Sequence, residues 1–593
     1  MTDLWWPPLA AFLLAVALTW VVRPAARMVG AVATPKADRW HRGTIPLLGG
    51  IAIAGSVLIV APLLPHLSWS AWALVGGAGA LALVGLVDDF RPLRPQIKFL
   101  LQVIVTASVV AGGVRLSITG VSALDQLLTI VWLVGVTNAF NLLDNMDGLA
   151  AGIGLIAAAF RGYFFLIDGN VEGAWVAWSL AGALAGFLIF NFQPASIFMG
   201  DTGSLFIGML VGGLNVMGPY AYSRGTVAVL MLPVLVLLVP LFDTLFVSVA
   251  RTLAGRSIAQ GGRDHTSHRL VALGMSERGA VLALWGMAFC SGLVAMLSYQ
   301  HGLPYTATLV GLLLAGLAVL GVQLGLQRVY PHKSDPGPIR VVADFQYKKQ
   351  VATVALDAAL VALAYYSAYV LRFESTLEAE LPLFEASLLL VLVSHVAMFG
   401  LFGVYQDSWR HSGIRDLVKL TGATTAGVVL AVLIVLMAFR FDNYSRAVFA
   451  IHWLLATSFL CGSRVLFRAL GELLVAESDE GPRTVIYGAG AGGVMVLREA
   501  RSNGDLDWKV VGFIDDDRGK FRTNVHGVPV LGSLEQVAPL LVSGQVAQVV
   551  VSTATVPPER LAALTRLCAD NGVRTLVASL RFDDAAGVHL PKH

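Results

Sequence analysis

Asn141, Asp144 and Asp147 follow one another at intervals of three within the stretch Asn138-Ala-Phe-Asn-Leu-Leu-Asp-Asn-Met-Asp-Gly-Leu-Ala150. On a helix that spacing sets all three on one face. The stretch lies where a long apolar run ends, and carboxylates held against hydrocarbon are costly unless something pairs with them. Mg²⁺ together with phosphate is such a partner. Three further segments carry the same residue types: Asp88-Asp89, then Asp201 within Phe198-Met-Gly-Asp-Thr-Gly-Ser204, then Asp264-His265-Thr-Ser-His268-Arg269. Singly, each has an ordinary explanation. Asp88-Asp89 suits a solvated loop, Asp201 a helix cap, and His265 and His268 an interface. Four such clusters in a chain with few charges point instead to phosphoryl transfer, in which carboxylates hold the metal and Lys, Arg or His binds the remaining phosphate oxygens.

The elements that must position these groups are membrane spans. The chain has 593 residues, 56% hydrophobic and only 13% charged, with a mean hydropathy of +0.73; a soluble protein carries about twice that charged fraction. Apolar runs near 5–22, 47–66, 72–87, 98–113, 123–140, 149–167, 173–190, 203–218, 226–250, 280–297 and 304–326 give eleven predicted spans. After a polar stretch at 327–349, four more lie near 351–372, 384–404, 419–439 and 446–470. The expected fold is therefore a polytopic α-helical membrane protein of about 15 spans. Basic residues fall in alternate loops: Arg23, Arg27, Lys36, Arg39 and Arg42, then Arg91, Arg94 and Lys98, then Arg251, Arg256, Arg263 and Arg269. The intervening loops, such as Glu374 to Glu380, are acidic or poor in Lys and Arg. This pattern predicts an external N-terminus, with the four clusters and the C-terminal region in the cytoplasm. The first apolar run lacks a basic leader and outlasts a signal-peptide core, so it is expected to stay as a span. Cys290, Cys461 and Cys568 have no metal or disulfide spacing.

From about residue 481 the composition becomes that of an α/β domain. Strand-like runs at Arg483–Tyr487, Lys509–Ile514, Val528–Leu531, Val546–Ser552 and Arg574–Ala578 alternate with helical patterns, as in a parallel sheet covered on both faces. Gly488, Gly490 and Gly493 form Gly-x-Gly-x-x-Gly after the first of these strands, and Asp515 closes the second. That is the arrangement of a Rossmann-like dinucleotide site. The bland alternative is that the glycines serve only a tight turn and close helix packing. The last tyrosine of the sequence is Tyr487, with no lysine at the spacing of a Tyr-x-x-x-Lys pair, so this domain is expected to bind a ligand or partner proteins without catalysing a reaction.

The ordered set Asp88-Asp-Phe90, Asn141-Leu-Leu-Asp-Asn-Met-Asp-Gly-Leu-Ala150, Phe198-Met-Gly-Asp-Thr-Gly-Ser204 and Asp264-His-Thr-Ser-His-Arg269 resembles the polyprenyl-phosphate N-acetylhexosamine-1-phosphate transferases, over about residues 1–326. The resemblance implies transfer of an N-acetylhexosamine 1-phosphate from a UDP-sugar to undecaprenyl phosphate in a bacterial inner membrane, with release of UMP, initiating a cell-surface glycan. It also implies a requirement for Mg²⁺, with Mn²⁺ as the alternative ion. By the same resemblance Asp201 is a metal ligand, and Asp88 or Asp89 binds metal or deprotonates the lipid phosphate. Asn141, Asp144 and Asp147 belong to the nucleotide and active-site loop, and His265, His268 and Arg269 contribute to donor recognition. Lys98 is either a phosphate contact or a snorkelling lysine. The histidine segment lacks the consecutive histidines of the branch that uses a MurNAc-pentapeptide donor, which favours UDP-GlcNAc or a related acetamido sugar.

The second half resembles the N-terminal region of membrane nucleotide-sugar dehydratases and large phosphoglycosyl transferases, through Ala364-Tyr-Tyr-Ser-Ala-Tyr-Val-Leu-Arg-Phe-Glu374, the Tyr405 to Leu417 loop and Val511-Gly-Phe-Ile-Asp-Asp-Asp517. NAD or a nucleotide-sugar is the implied ligand of that half. The expected organisation is an eleven-span transferase domain (1–326), a linker (327–349), a four-span domain (350–471) and the Rossmann-like domain (481–593). Expected partners are the donor, the lipid acceptor, the bilayer, a second copy of the chain and other glycan-assembly enzymes, with no nucleic acid. Two competing readings make other predictions. A proton or anion transporter needs inverted repeats and mid-span acids, whereas a non-catalytic scaffold yields no lipid-linked product.

Overall fold

The computed structural model describes residues 5–33, 44–217, 226–253, 264–301, 303–325, 338–374, 376–405, 413–440, 443–474, 481–502, 506, 508–521, 523–542, 545–552 and 556–578. Lys36, Arg39, Arg42, Arg256 and Arg263, the first part of the expected linker (327–337) and residues 406–412 of the Tyr405 to Leu417 loop lie outside the described residues. The chain divides into two compact units, Met1–Glu472 and Leu473–His593.

The first unit is almost entirely helical. It opens with α1 (Trp6–Met28), a two-stranded antiparallel ribbon of β1 (Val32–Ala33) and β2 (Ile45–Pro46), and α2 (Gly49–Val60). There follow α3 (Trp69–Phe90), α4 (Pro95–Ala111), α5 (Ser122–Leu143), α6 (Leu149–Ile167), α7 (Val171–Asn191) and α8 (Gly200–Leu214). Next come α9 (Thr226–Val236), α10 (Leu238–Leu253), the short α11 (Thr266–Ala272), α12 (Glu277–His301) and α13 (Leu303–Gly325). The last four, α14 (Pro338–Phe373), α15 (Leu377–Leu401), α16 (Ile414–Phe439) and α17 (Arg446–Leu474), form a bundle of their own. Ten helices among the described residues are long and apolar enough to cross a membrane, fewer than the fifteen read from the runs. The reason is visible in individual helices. The run at 226–250 is two helices parting at Leu237, where Pro240 has no N–H to return to the carbonyl of Val236. Gly49–Leu63 and α4 are too short for an untilted span.

Helix α8 is the centre of the first unit. Every residue from Thr202 to Leu214 is buried, so it is apolar all round rather than striped. Its glycines let neighbouring backbones come close. A Cβ on Gly50 of α2 would lie 2.1 Å from the Gly203 nitrogen, and small residues at such crossings are how helices pack within membranes. In the four-helix bundle, Arg464 of α17 donates to both oxygens of Asp357 of α14, at 2.7 and 2.6 Å. Both residues are buried, and the bidentate pairing is what makes such charges tolerable there.

The second unit holds β3 (Arg483–Tyr487), α18 (Ala491–Ser502), β4 (Lys509–Ile514), β5 (Asn524–Val525), β6 (Val528–Gly532), α19 (Leu534–Val542), β7 (Gln548–Val551), α20 (Pro558–Asp570) and β8 (Arg574–Val577). Five parallel strands run in the order β6-β4-β3-β7-β8, and the short β5 pairs antiparallel with β6 at the edge. Alternation decides the two faces. Val485 and Tyr487 join Leu541, Leu564 and Cys568 in one core, whereas Ile486 joins Leu497 and Phe513 in the other. The strand order reverses between β3 and β7, the position at which open α/β sheets leave a crevice beyond their strand ends.

Candidate active site

The main site is built where α3, α4, α5 and α8 end or begin together. Lys98, in the first turn of α4, donates from Nζ to Asp88 Oδ2 at 3.1 Å, to Asn141 Oδ1 at 3.4 Å and to Asp201 Oδ2. Asn141 in turn donates from Nδ2 to Asp201 Oδ1 at 2.8 Å and to Ser204 Oγ at 2.9 Å. The second oxygen of Asp88 accepts from the Leu93 amide at 2.5 Å. One cation is thus surrounded by oxygens from three helices. Lys98 is not a snorkelling side chain, since only 15% of it is exposed and its ammonium points into this cluster.

Asp89 does something different from its neighbour. Its Oδ1 accepts from the Asp201 amide at 2.8 Å, and its Oδ2 accepts from the Thr202 amide at 3.1 Å and the Thr202 hydroxyl at 2.6 Å. Both oxygens are therefore committed to the N-terminus of α8, where unpaired amides and the helix dipole favour an anion. Gly200 makes this contact possible. Its φ is +66° and a Cβ there would lie 2.6 Å from Asp89 Oδ2, so a side chain is refused on both conformational and steric grounds. The segment before α8 is held from the other side by Gly49 and Gly50 amides donating to the carbonyls of Phe198 and Met199 at 2.9 and 2.8 Å. These contacts set the position of Asp201.

The loop after α5 runs from this cluster toward the histidine segment. Asp144 caps α5, and Asp147 accepts from the Ala195 amide at 2.9 Å. Asn145, between them, accepts from Ser267 Oγ at 2.7 Å. The histidine segment is a folded, buried turn. Asp264 receives Arg251 Nε at 3.1 Å, and Arg269 donates to the Asp264 carbonyl at 3.0 Å and the Leu324 carbonyl at 2.9 Å. The Arg269 guanidinium also lies over Phe246 at 5.2 Å. His265 and His268 stand edge to face with ring centroids 6.3 Å apart. The His265 Nδ1 is 2.8 Å from Asp243 Oδ2 of α10.

The structure thus brings Asp88, Lys98, Asn141 and Asp201 into one cluster and joins the stretch after Asn141 to the histidine segment through Asn145. It sets Asp89 and Arg269 to holding the framework. Asp243, Asn145, Ser204 and Gly200 were not anticipated from the sequence. Only Asp243 carried a signal, being a lone carboxylate inside an apolar run.

Residues 71–219 match the family described as Glycosyl transferase family 4. A "Probable undecaprenyl-phosphate N-acetylglucosaminyl 1-phosphate transferase" from Bacillus subtilis is 32% identical over 321 residues, 52% of this chain and 88% of the relative. A "Decaprenyl-phosphate N-acetylglucosaminephosphotransferase" from Mycolicibacterium smegmatis is 37% identical over 341 residues, 51% of this chain and 83% of the relative. The chain belongs to the polyprenyl-phosphate sugar-1-phosphate transferases. A "Phospho-N-acetylmuramoyl-pentapeptide-transferase" from Moorella thermoacetica is 34% identical over 289 residues, 44% of this chain and 86% of that protein. Overall identity therefore does not separate the donors within this family of membrane glycosyltransferases.

Among the described residues no three His, Cys, Asp or Glu side chains form a metal-ligand group. Mg²⁺ does not need one, because it is held by one or two carboxylates while water and substrate phosphate fill the other positions. Asp88, Asp201 and the amide oxygen of Asn141, which already surround the Lys98 ammonium, fit that requirement in type and convergence.

Residues 400–578, which include the last part of the first unit and most of the second, match a family described as CoA-binding domain. The three fingerprint glycines have separate reasons. Gly488 has φ +107°, and a Cβ on Gly493 would lie 1.8 Å from the Gly488 carbonyl oxygen. Turn and packing therefore account for both. Among the described residues nothing lies within 4 Å of a Cβ on Gly490, and none of them explains it by packing. Asp515 does not point away from the loop as a ribose ligand would. It accepts from the Ala489 amide at 2.8 Å, the Asp517 amide at 2.9 Å and Lys520 Nζ at 3.0 Å. Partial burial pushes this carboxyl up, but the two amides and Lys520 outweigh it and hold it below the usual carboxylate range. Tyr487 donates to Asp516 at 2.6 Å, and its burial and that carboxylate push the phenol up to about 12.

Proposed function

We propose that the chain transfers N-acetylglucosamine 1-phosphate from UDP-GlcNAc to undecaprenyl phosphate at the cytoplasmic face of a bacterial inner membrane, releasing UMP and starting a surface glycan. The observation that carries this reading is the convergence of Asp88, Lys98, Asn141 and Asp201 from separate helices on one point. A phosphate oxygen of the lipid forms a bond to the sugar-bearing phosphorus of the donor, and the bond from that phosphorus to UMP breaks. Mg²⁺, when bound, neutralises charge on the phosphate oxygens. Asp88, Asp201 and Asn141 are the residues that would hold it. Lys98 offers its ammonium to the same phosphates and offsets the carboxylates between turnovers. Asp89 fixes the start of α8, and with it Asp201. The basic loops expected on the cytoplasmic side would attract both anionic substrates.

For the second unit we propose a non-catalytic nucleotide or nucleotide-sugar site, Rossmann-like and cytoplasmic, over Gly490. The lack of any described atom within 4 Å of a Cβ on Gly490 supports it. The test of the main reading is UMP release from UDP-GlcNAc by the purified chain with undecaprenyl phosphate and Mg²⁺, over a panel of UDP-sugars. UMP release by wild type that persists undiminished in Asp201→Asn would refute the assignment of the site.

A further inference from the structure

Asp243 is the sixth residue of α10 and is 2% exposed. None of the motif segments contains it. Its two oxygens grip the start of the histidine turn, with Oδ1 accepting from the Thr266 amide at 2.7 Å and Oδ2 lying 2.8 Å from His265 Nδ1. A helix start could be capped by the first contact alone. The second commits one nitrogen of an imidazole and leaves Nε2 as the nitrogen that can meet a ligand.

The turn that carries this nitrogen is tied to the loop after α5. Two residues on, Ser267 is bonded to Asn145, four residues beyond the Asn141 of the acidic cluster. Among the described residues, Asp243 and the ring of His268 face His265, and Arg251, Asp264 and Arg269 pair within the same segment. Arg251 binds Asp264, and Arg269 binds two backbone carbonyls and the face of Phe246. Among the described residues, Arg251 and Arg269 thus hold the turn together.

Resting on the transferase reading above, we propose that Asp243 is a positioning residue. It holds His265 through Nδ1 and fixes the ring, so that Nε2 is presented to the UDP-sugar donor. Asp243→Asn keeps the size and an acceptor for Thr266. Its amide, however, would donate to Nδ1 where the carboxylate accepts, which changes the nitrogen that carries the proton and so what Nε2 offers the donor.

The test uses the full chain in nanodiscs with UDP-GlcNAc and undecaprenyl phosphate. In Asp243→Asn the KM for UDP-GlcNAc rises about tenfold or more, the scale seen when a supporting contact to a ligand-binding histidine is lost, while kcat changes far less. In Asp243→Glu, which restores a carboxylate, KM stays close to wild type. The double variant with His265→Gln is no worse than His265→Gln alone, as expected for two residues acting as one unit. A wild-type KM in folded Asp243→Asn overturns the proposal, as does a loss confined to kcat. Should Asp243→Asn fail to fold, a tenfold rise in KM in folded Asp243→Glu overturns it. Wild-type chain that releases no UMP defeats the transferase reading and this inference together. Normal wild-type release with any of the preceding failures defeats this inference alone.

Discussion

The acidic cluster around Lys98 and the glycine loop around Gly488 are both organised by aspartates at the ends of secondary elements, yet they spend those aspartates differently. In the cluster, Asp201 meets a lysine and a side-chain amide contributed by other helices, and Asp88 meets the same lysine with one oxygen and the Leu93 amide with the other; the lysine and the side-chain amide are partners that a metal ion or a phosphate can exchange with. In the loop, Asp515 is consumed by backbone amides and a lysine five residues away. The first arrangement keeps charged groups available at the cost of exact placement by four helices. The second stabilises a turn. A carboxylate at the end of a strand or helix is thus a site residue only when its partners are exchangeable, and Asp89, locked onto the amides of α8, falls on the structural side although it is adjacent in sequence to Asp88.

That contrast can be broken by experiment. The largest effect is expected for Asp201→Asn, which should lower UMP release by about a hundredfold or more with little change in thermal stability. Next, Asp89→Asn should lower both UMP release and the unfolding temperature, because the amide cannot accept all three bonds at the start of α8. An unfolding temperature equal to wild type, with activity lost as in Asp201→Asn, would move Asp89 to the metal. Gly200→Ala forces a Cβ into the Asp89 carboxylate at positive φ and should cost about 1–3 kcal/mol, read from the thermal midpoint.

In the second unit the effects should be smaller and confined to that unit. Gly493→Ala should raise the protease sensitivity of the 473–593 region in the full chain, whereas Gly490→Ala should leave it unchanged and weaken only nucleotide binding. Asp515→Asn should shift UMP release less than twofold, and a larger loss would show the two units to be coupled. Its signature is in pH. The folded carboxyl is held below its ordinary value of about 3.9, so its stabilisation is present above that pH and is lost as pH falls through the lower, folded value. Protease resistance of the unit on the acid side should therefore depend less on pH in Asp515→Asn than in wild type.

Much of this was legible in the chain. The apolar runs marked helices, and the strand runs at Arg483–Tyr487 and Lys509–Ile514 coincide with β3 and β4, because alternation and apolar length are local properties. The four motif segments were legible as chemistry, since carboxylates beside hydrocarbon are conspicuous in a chain with 13% charged residues. The break at Leu237, the short edge strand β5 and the role of Asp243 were not, because each depends on what packs beside it.

The sequence by itself determined that this is a polytopic membrane protein with phosphate chemistry at span ends and an α/β domain after them. Composition and periodicity are sufficient for the spans and the domain, and the residue types of the four motif segments for the chemistry. Only the tertiary structure decided which acid of the pair Asp88-Asp89 faces Lys98 and which holds α8. Adjacent helical residues point about 100° apart, and only the neighbouring helices determine which of those directions is the site.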